Sequence, residues 1–143
     1  MLIALIGESC VGKSTIAAVL KEKLNATVYS GKDYLRLAKS ETEAVQKFKI
    51  LLAQAVNGDN IVYVITEKPH LAFLPESAKR VVVTAGLNTI KTRFAARTNG
   101  VLPPPLAKML EAKHGIFDNE PCLLKIESEK IMPEEAANRI LSI

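Results

Sequence analysis

The most specific chemistry in this chain lies in eight consecutive residues, Gly7-Glu8-Ser9-Cys10-Val11-Gly12-Lys13-Ser14, with Thr15 behind them. The glycines let the backbone turn tightly and approach a ligand with no Cβ in the way. Loop amides that run into a helix N-terminus form an anion site. Lys13 adds a point charge and Ser14 a metal-ligating hydroxyl. The spacing G-x-x-x-x-G-K-S therefore suits a nucleotide polyphosphate, with Lys13 on the β- and γ-phosphates and Ser14 on Mg²⁺. A Gly-rich turn that merely caps a helix is the plainer reading of the same residues.

Such a loop must leave a strand and open a helix. Leu2–Ile6 is a short apolar run that stops at Gly7, and Lys13–Leu24 carries Ile16, Ala17, Leu20 and Leu24 on one helical face. The alternation then continues. Thr27–Tyr29 reads as a short β-branched strand. Ser40 and Glu43 form a capping box for a helix to about Val56, with Val45, Phe48, Leu52 and Ala55 inward. Ile61–Ile65 and Arg80–Thr84 are apolar runs, Asn88 can cap a helix through about Thr98, and Pro105–His114 is helical. Pro103, Pro104 and Pro105 form a rigid hinge or helix start. Cys122–Ile126 is the fifth strand, and Pro133 starts the last helix. Strands without polar alternation are buried on both faces. Five of them separated mainly by helices predict an α/β fold, a parallel sheet in a three-layer sandwich. Ligands then bind beyond the strands' carboxyl ends.

Composition agrees. The 143 residues suit one domain, and 48% apolar content with 5% aromatics and no Trp predicts an aliphatic core. The net charge of +4 fits an anionic ligand. The dispersed lysines disfavour nucleic acid as a partner, and no apolar run is long enough to span a membrane. No basic stretch precedes Leu2, which argues against a signal peptide. Cys10 and Cys122 form no C-x-x-C pair, so the expectation is a reduced, cytoplasmic protein, monomeric or a small homo-oligomer. Cys10 reads as a small buried hydrophobe, Cys122 as a core strand residue, and His114 as a cation at a helix end.

Three features taken together resemble the small P-loop kinases of the adenylate kinase and shikimate kinase group: the N-terminal loop, Asp33 after the second strand, and Arg93 and Arg97 on one face of the helix after the fourth. The resemblance runs along nearly the whole chain in order and spacing. It implies a five-stranded parallel sheet in the order 2-3-1-4-5 and a single domain, residues 1–143, with an acceptor-binding region at about 33–57 and a lid at about 98–115. It implies ATP and Mg²⁺ as cofactors and a small-molecule hydroxyl or phosphate as acceptor. Residues Gly7, Glu8, Ser9, Cys10, Val11, Gly12, Lys13, Ser14 and Thr15 would bind the nucleotide, with Ser14 on the metal. Lys13, Asp33, Arg93 and Arg97 would be catalytic. Asp33 would orient the acceptor or a metal-bound water, and the arginines would meet adenine and the transferring phosphoryl group. There are departures. Gly31 replaces the first acid of shikimate kinase's Asp-x-Asp pair, that enzyme's triple glycine after the third strand is absent, and the third strand runs into Thr66-Glu67 instead of an aspartate. The missing aspartate keeps a non-catalytic ATP-binding regulatory module open as the alternative. A nucleic-acid end kinase would need a contiguous basic groove.

Overall fold

The computed structural model describes all 143 residues. Five strands, β1 (Leu2–Ile6), β2 (Thr27–Ser30), β3 (Ile61–Ile65), β4 (Lys79–Thr84) and β5 (Leu124–Glu127), form one sheet in the order β2-β3-β1-β4-β5. Every pairing is parallel, as in Leu2 with Ile61, Ile3 with Lys79, Thr27 with Ile61 and Val81 with Leu124. The helices are α1 (Lys13–Leu24), α2 (Glu41–Ala55), α3 (Leu87–Arg97), α4 (Pro104–Lys113) and α5 (Pro133–Leu141), with 3₁₀ segments at Asp33–Leu37 and Lys68–Phe73.

Side-chain alternation divides the interior into two cores. Ile3 and Leu5, with Val62, Val64, Val81 and Val83, face one side and pack on Ile16, Leu20, Ile90, Ala137 and Ile140. Leu2, Ala4 and Ile6, with Ile61, Tyr63, Ile65 and Val82, face the other and pack on Ala44, Phe48, Leu52 and Phe117. Both faces of β1 and β3 are thus dry, which explains their unbroken apolar sequence. Phe48 is the centre of the second core, 4.8 Å from Tyr63 and 5.3 Å from Tyr29, ring centroid to ring centroid. Ser40 caps α2 as its sequence requires, its Oγ accepting from the Glu43 amide at 3.2 Å.

Several expected details change. Asn88 does not cap α3: the cap position is Gly86, and Asn88 lies in the first turn. Cys122 is exposed and precedes β5, which begins at Leu124. Val45 is half-buried, and Ala44 occupies the inward position instead. The last helix before β5 starts at Pro104, with Pro103 as its cap.

The order of strands puts β1 in the middle. Its connection leads outward past β3 to β2, while β3 connects across it to β4, so the loop after β1 lies at a topological switch point. Gly7 is needed there for packing. A Cβ on it would stand 2.5 Å from the Val83 carbonyl oxygen and 2.8 Å from Val11 Cγ2. Gly7→Ala is therefore expected to lower the unfolding free energy by roughly 1–3 kcal/mol. Urea denaturation of the two proteins measures the difference.

Candidate functional site

The loop after β1 presents donors without partners. None of the amides from Glu8 to Gly12 donates a hydrogen bond within the protein. Cys10 (φ 65°) and Gly12 (φ 103°) both adopt left-handed backbone, which curls the loop around these N–H groups. Cysteine pays a steric cost for that conformation, and its carbonyl is fixed by the Arg93 guanidinium, which donates to it at 3.1 Å. Cys10 itself is buried, as expected.

Lys13 is buried, and its ammonium donates to the carbonyls of Gly7 at 2.6 Å and Glu8 at 2.5 Å. Burial lowers its pKa to about 8, and the positive charge of Arg97 adds to that lowering, against opposing contributions from Cys10 and Glu8. Ser14 and Thr15 at the start of α1 are exposed. A pocket of about 170 Å³ collects Ser9, Lys13, Ser14, Thr15, Arg97 and the ends of β2 and β3 at Ser30, Gly31 and Thr66. No carboxylate lines it.

A larger pocket of about 610 Å³ continues from it along α3, sharing Cys10, Gly12, Thr15 and Arg97. Its walls are Arg93, Ala96 and Arg97 on one side and the segment Ser128–Pro133 on the other. Arg93 and Arg97 share a helix face, as their spacing requires, and both line this pocket. That segment also fixes α3. Glu129 accepts hydrogen bonds from the Gly86 amide and from Thr89 Oγ1, the latter at 2.7 Å. These two bonds, the backbone one first, hold the Glu129 carboxyl below its usual pKa. A helix without its own capping side chain is capped by a residue 40 positions later. Ser128 accepts from Arg93 at 3.2 Å. Neither Ser128 nor Glu129 belongs to a recognisable motif. Their only sequence signal is their place directly after the fifth strand.

Asp33 does not line the pocket around Lys13. Its Oδ2 accepts from the Ser30 amide at 2.9 Å, and its Oδ1 lies 3.4 Å from Arg36. The cause is the sheet order: β2 is an edge strand, and with Gly31 bonded to Val64 the Ser30 amide points outward and needs a side-chain partner. On the inner side Tyr63 donates to the Gly31 carbonyl at 2.8 Å, so the turn is held from both sides. Burial raises the Tyr63 pKa well above the usual tyrosine range.

Glu8 and His114 also take places that the sequence concealed. The Glu8 side chain is buried and turns away from the phosphate pocket. Its Oε1 lies 3.0 Å from His114 Nδ1 and its Oε2 accepts from the Gly115 amide at 3.1 Å. His114 is therefore a partner of the loop as well as a residue at a helix end. His70 is buried against Tyr34 and Phe73, away from these pockets.

No protein-family model matches the sequence, and no curated protein is similar to it. Solved structures are. Shikimate kinase from Acinetobacter baumannii in complex with shikimate superimposes with a TM-score of 0.67 over 98% of this chain and 90% of the other, at 17% identity. The YorR protein of Bacillus subtilis in complex with phosphorylated GDP gives 0.67 over 99% and 94%, at 23% identity. A gluconokinase from Sinorhizobium meliloti gives 0.62 over 99% and 89%, at 15% identity. The chain has the fold of the small P-loop kinases. The sheet order 2-3-1-4-5 is the one that resemblance implied. No helix of this P-loop fold is long and apolar enough to cross a membrane.

Two outcomes follow from this geometry. Lys13 is charged below pH 8 and neutral above it, whereas in the unfolded chain it stays charged to about 10.5. Between those values the unfolded state holds the extra proton, so this residue makes stability rise with pH. An anion that pairs with the ammonium would run the other way, because it needs the charge. With ATP as the probe anion, the dissociation constant is expected to rise by up to about tenfold per pH unit above pH 8, with proton uptake on binding. Calorimetry in buffers of different ionisation enthalpy measures both, and Lys13→Ala should remove the dependence. For the turn, Asp33→Ala is expected to cost roughly 1 kcal/mol and Asp33→Asn much less, because Asn still accepts from Ser30. Thermal unfolding separates the two.

Proposed function

We propose that this protein is an ATP- and Mg²⁺-dependent phosphotransferase acting on a small molecule. The observation that carries the reading is the pocket in which Lys13 and Arg97 converge with Ser9, Cys10 and Gly12, whose amides have no partner, and with no carboxylate present. A polyphosphate is the ligand that such a site offsets best. The likeness in fold to proteins described as kinases supports the same reading.

The pocket between α3 and residues 128–133 suits the base, with Arg93 and Arg97 along its wall. A guanidinium plane can stack on a ring and pair bidentately with a phosphate, a geometry that an ammonium lacks. Polyphosphate oxygens would replace the Gly7 and Glu8 carbonyls as partners of Lys13. Arg97 lines both pockets and is the arginine placed to follow charge onto the transferring group.

Mg²⁺ fits this site in one way. No group of three or more His, Cys, Asp or Glu side chains is arranged to hold a metal by itself. The Ser14 hydroxyl is exposed at the loop's end, in the phosphate pocket, so the ion would be held jointly by Ser14 and phosphate oxygens. It would supply neutralisation of phosphate charge. Asp33 is a positioning residue in this scheme, holding the Ser30–Gly31 wall. Residues 98–115, which include α4, would close over the phosphates and exclude water as a competing acceptor.

The test is ADP release with full-length protein, Mg²⁺–ATP and a panel of acceptors. Lys13→Ala is expected to remain folded and to lose transfer by orders of magnitude. Arg97→Lys should lower kcat more than it raises the KM for ATP, and Arg93→Ala should mainly weaken ATP binding. Near-normal transfer by folded Lys13→Ala would refute the reading. Tight ATP binding with no transfer to any acceptor would identify a regulatory binder instead.

A further inference from the structure

A third cavity, of about 200 Å³, opens on the other side of the loop after β1. It lies between the loop, the carboxyl end of β3 and the last turns of α4, and it shares Ser9 and Thr66 with the phosphate pocket. A group seated in it borders the position of a terminal phosphate. Its charges are Glu8 and Glu67 against Lys113, and its apolar floor is Met109, Leu110 and Ile116.

The polar groups divide into occupied and free. Glu8 is committed to His114 and Gly115. Glu67 is exposed and makes no ion pair, its chain position being the end of β3 where strand and cleft meet. Asp33, the acid after β2, is tied to Ser30 and Arg36 and lines neither pocket.

The arginines are equally telling. The chain has five. Arg93 and Arg97 lie on the nucleotide side, Arg36 pairs with Asp33, Arg139 pairs with Glu135, and Arg80 sits on β4 opposite Ala4. None lines the cleft. A phosphate or carboxylate on an acceptor is matched best by a bidentate guanidinium. Here it would meet one ammonium and two carboxylates.

Resting on the phosphotransferase reading, we infer that the acceptor is a small alcohol bearing no phosphate or carboxylate, uncharged or carrying an amine, and that Glu67 takes the proton of its hydroxyl. The acceptor oxygen forms a bond to the γ-phosphorus of ATP while the bond to the β,γ-bridging oxygen breaks. ADP leaves with that electron pair, and the hydroxyl proton passes to the Glu67 carboxylate. Lys113 is placed to donate to another oxygen of the acceptor. The cleft is smaller than the roughly 300 Å³ at which drug-sized ligand pockets begin, which keeps the acceptor, or the part of it that enters, small.

The experiment uses the full chain with γ-labelled Mg²⁺–ATP and matched pairs: a nucleoside with its monophosphate, an amino sugar with its sugar acid, and a polyol with its phosphate ester. The expected result is a kcat/KM at least tenfold higher for the uncharged or amine-bearing member. Glu67→Gln should lower kcat for that acceptor by about 10²-fold or more, with ATP affinity unchanged within twofold, and Glu67→Asp should restore part of it. Equal or better use of the anionic members overturns the acceptor class. Wild-type kcat in Glu67→Gln overturns the role of Glu67. Both failures leave transfer intact and so spare the phosphotransferase reading. Binding of Mg²⁺–ATP without transfer to any member, or no binding at all, refutes that reading and this inference with it.

Discussion

A lysine ammonium buried against main-chain carbonyls is the constraint around which this molecule is arranged. Lys13 has no carboxylate partner, and burial brings its pKa to about 8. A cation so placed costs stability, and its surroundings fix where it sits. The carbonyls of Gly7 and Glu8 hold the ammonium at the carboxyl end of the central strand. Gly7 gives β1 room to turn beneath Val83, and β1 is central because two dry faces require an apolar strand flanked on both edges. On the phosphotransferase reading, stability and ligand affinity oppose each other at one nitrogen atom.

The guanidinium groups depend on a different part of the chain. Arg93 and Arg97 project from α3, whose first turn is held by Glu129 and whose middle is anchored by Ser128 through Arg93. The segment after β5 thus performs two tasks, forming a wall of the larger pocket and fixing the helix opposite. Loss of Glu129 would loosen both walls at once, because the cap and the pocket share that residue.

The sequence was most informative where partners are close along the chain. The strands appear as apolar runs because each is buried on both faces, the loop appears because its chemistry is confined to eight residues, and the α2 cap spans only Ser40 to Glu43. Reading failed where the partner is distant. Asn88 is a good capping residue, but Glu129 supplies the cap from 40 residues away. Asp33 has local partners, Ser30 and Arg36, but the need for them is set by sheet order, since β2 is an edge strand whose Ser30 amide points outward. Cys122 lies outside β5 because pairing with β4 begins at Leu124, a boundary that its apolar neighbours do not mark. Arg93 and Arg97 lie between these cases: their helical spacing was legible, but their contacts with the loop after β1 and with Ser128 were not.

The Glu8 carboxylate joins the phosphate loop to the end of α4 through His114 and Gly115, across 106 residues of chain. Because its backbone carbonyl also receives Lys13, this one residue touches the pocket around Lys13 with its main chain and the cleft beside α4 with its side chain. On the proposed reading these are the nucleotide and acceptor sides, so a change at Glu8 would reach the Michaelis constants of both substrates. A substitution at His114, far from any phosphate in sequence, would then mimic a lesion in the loop itself.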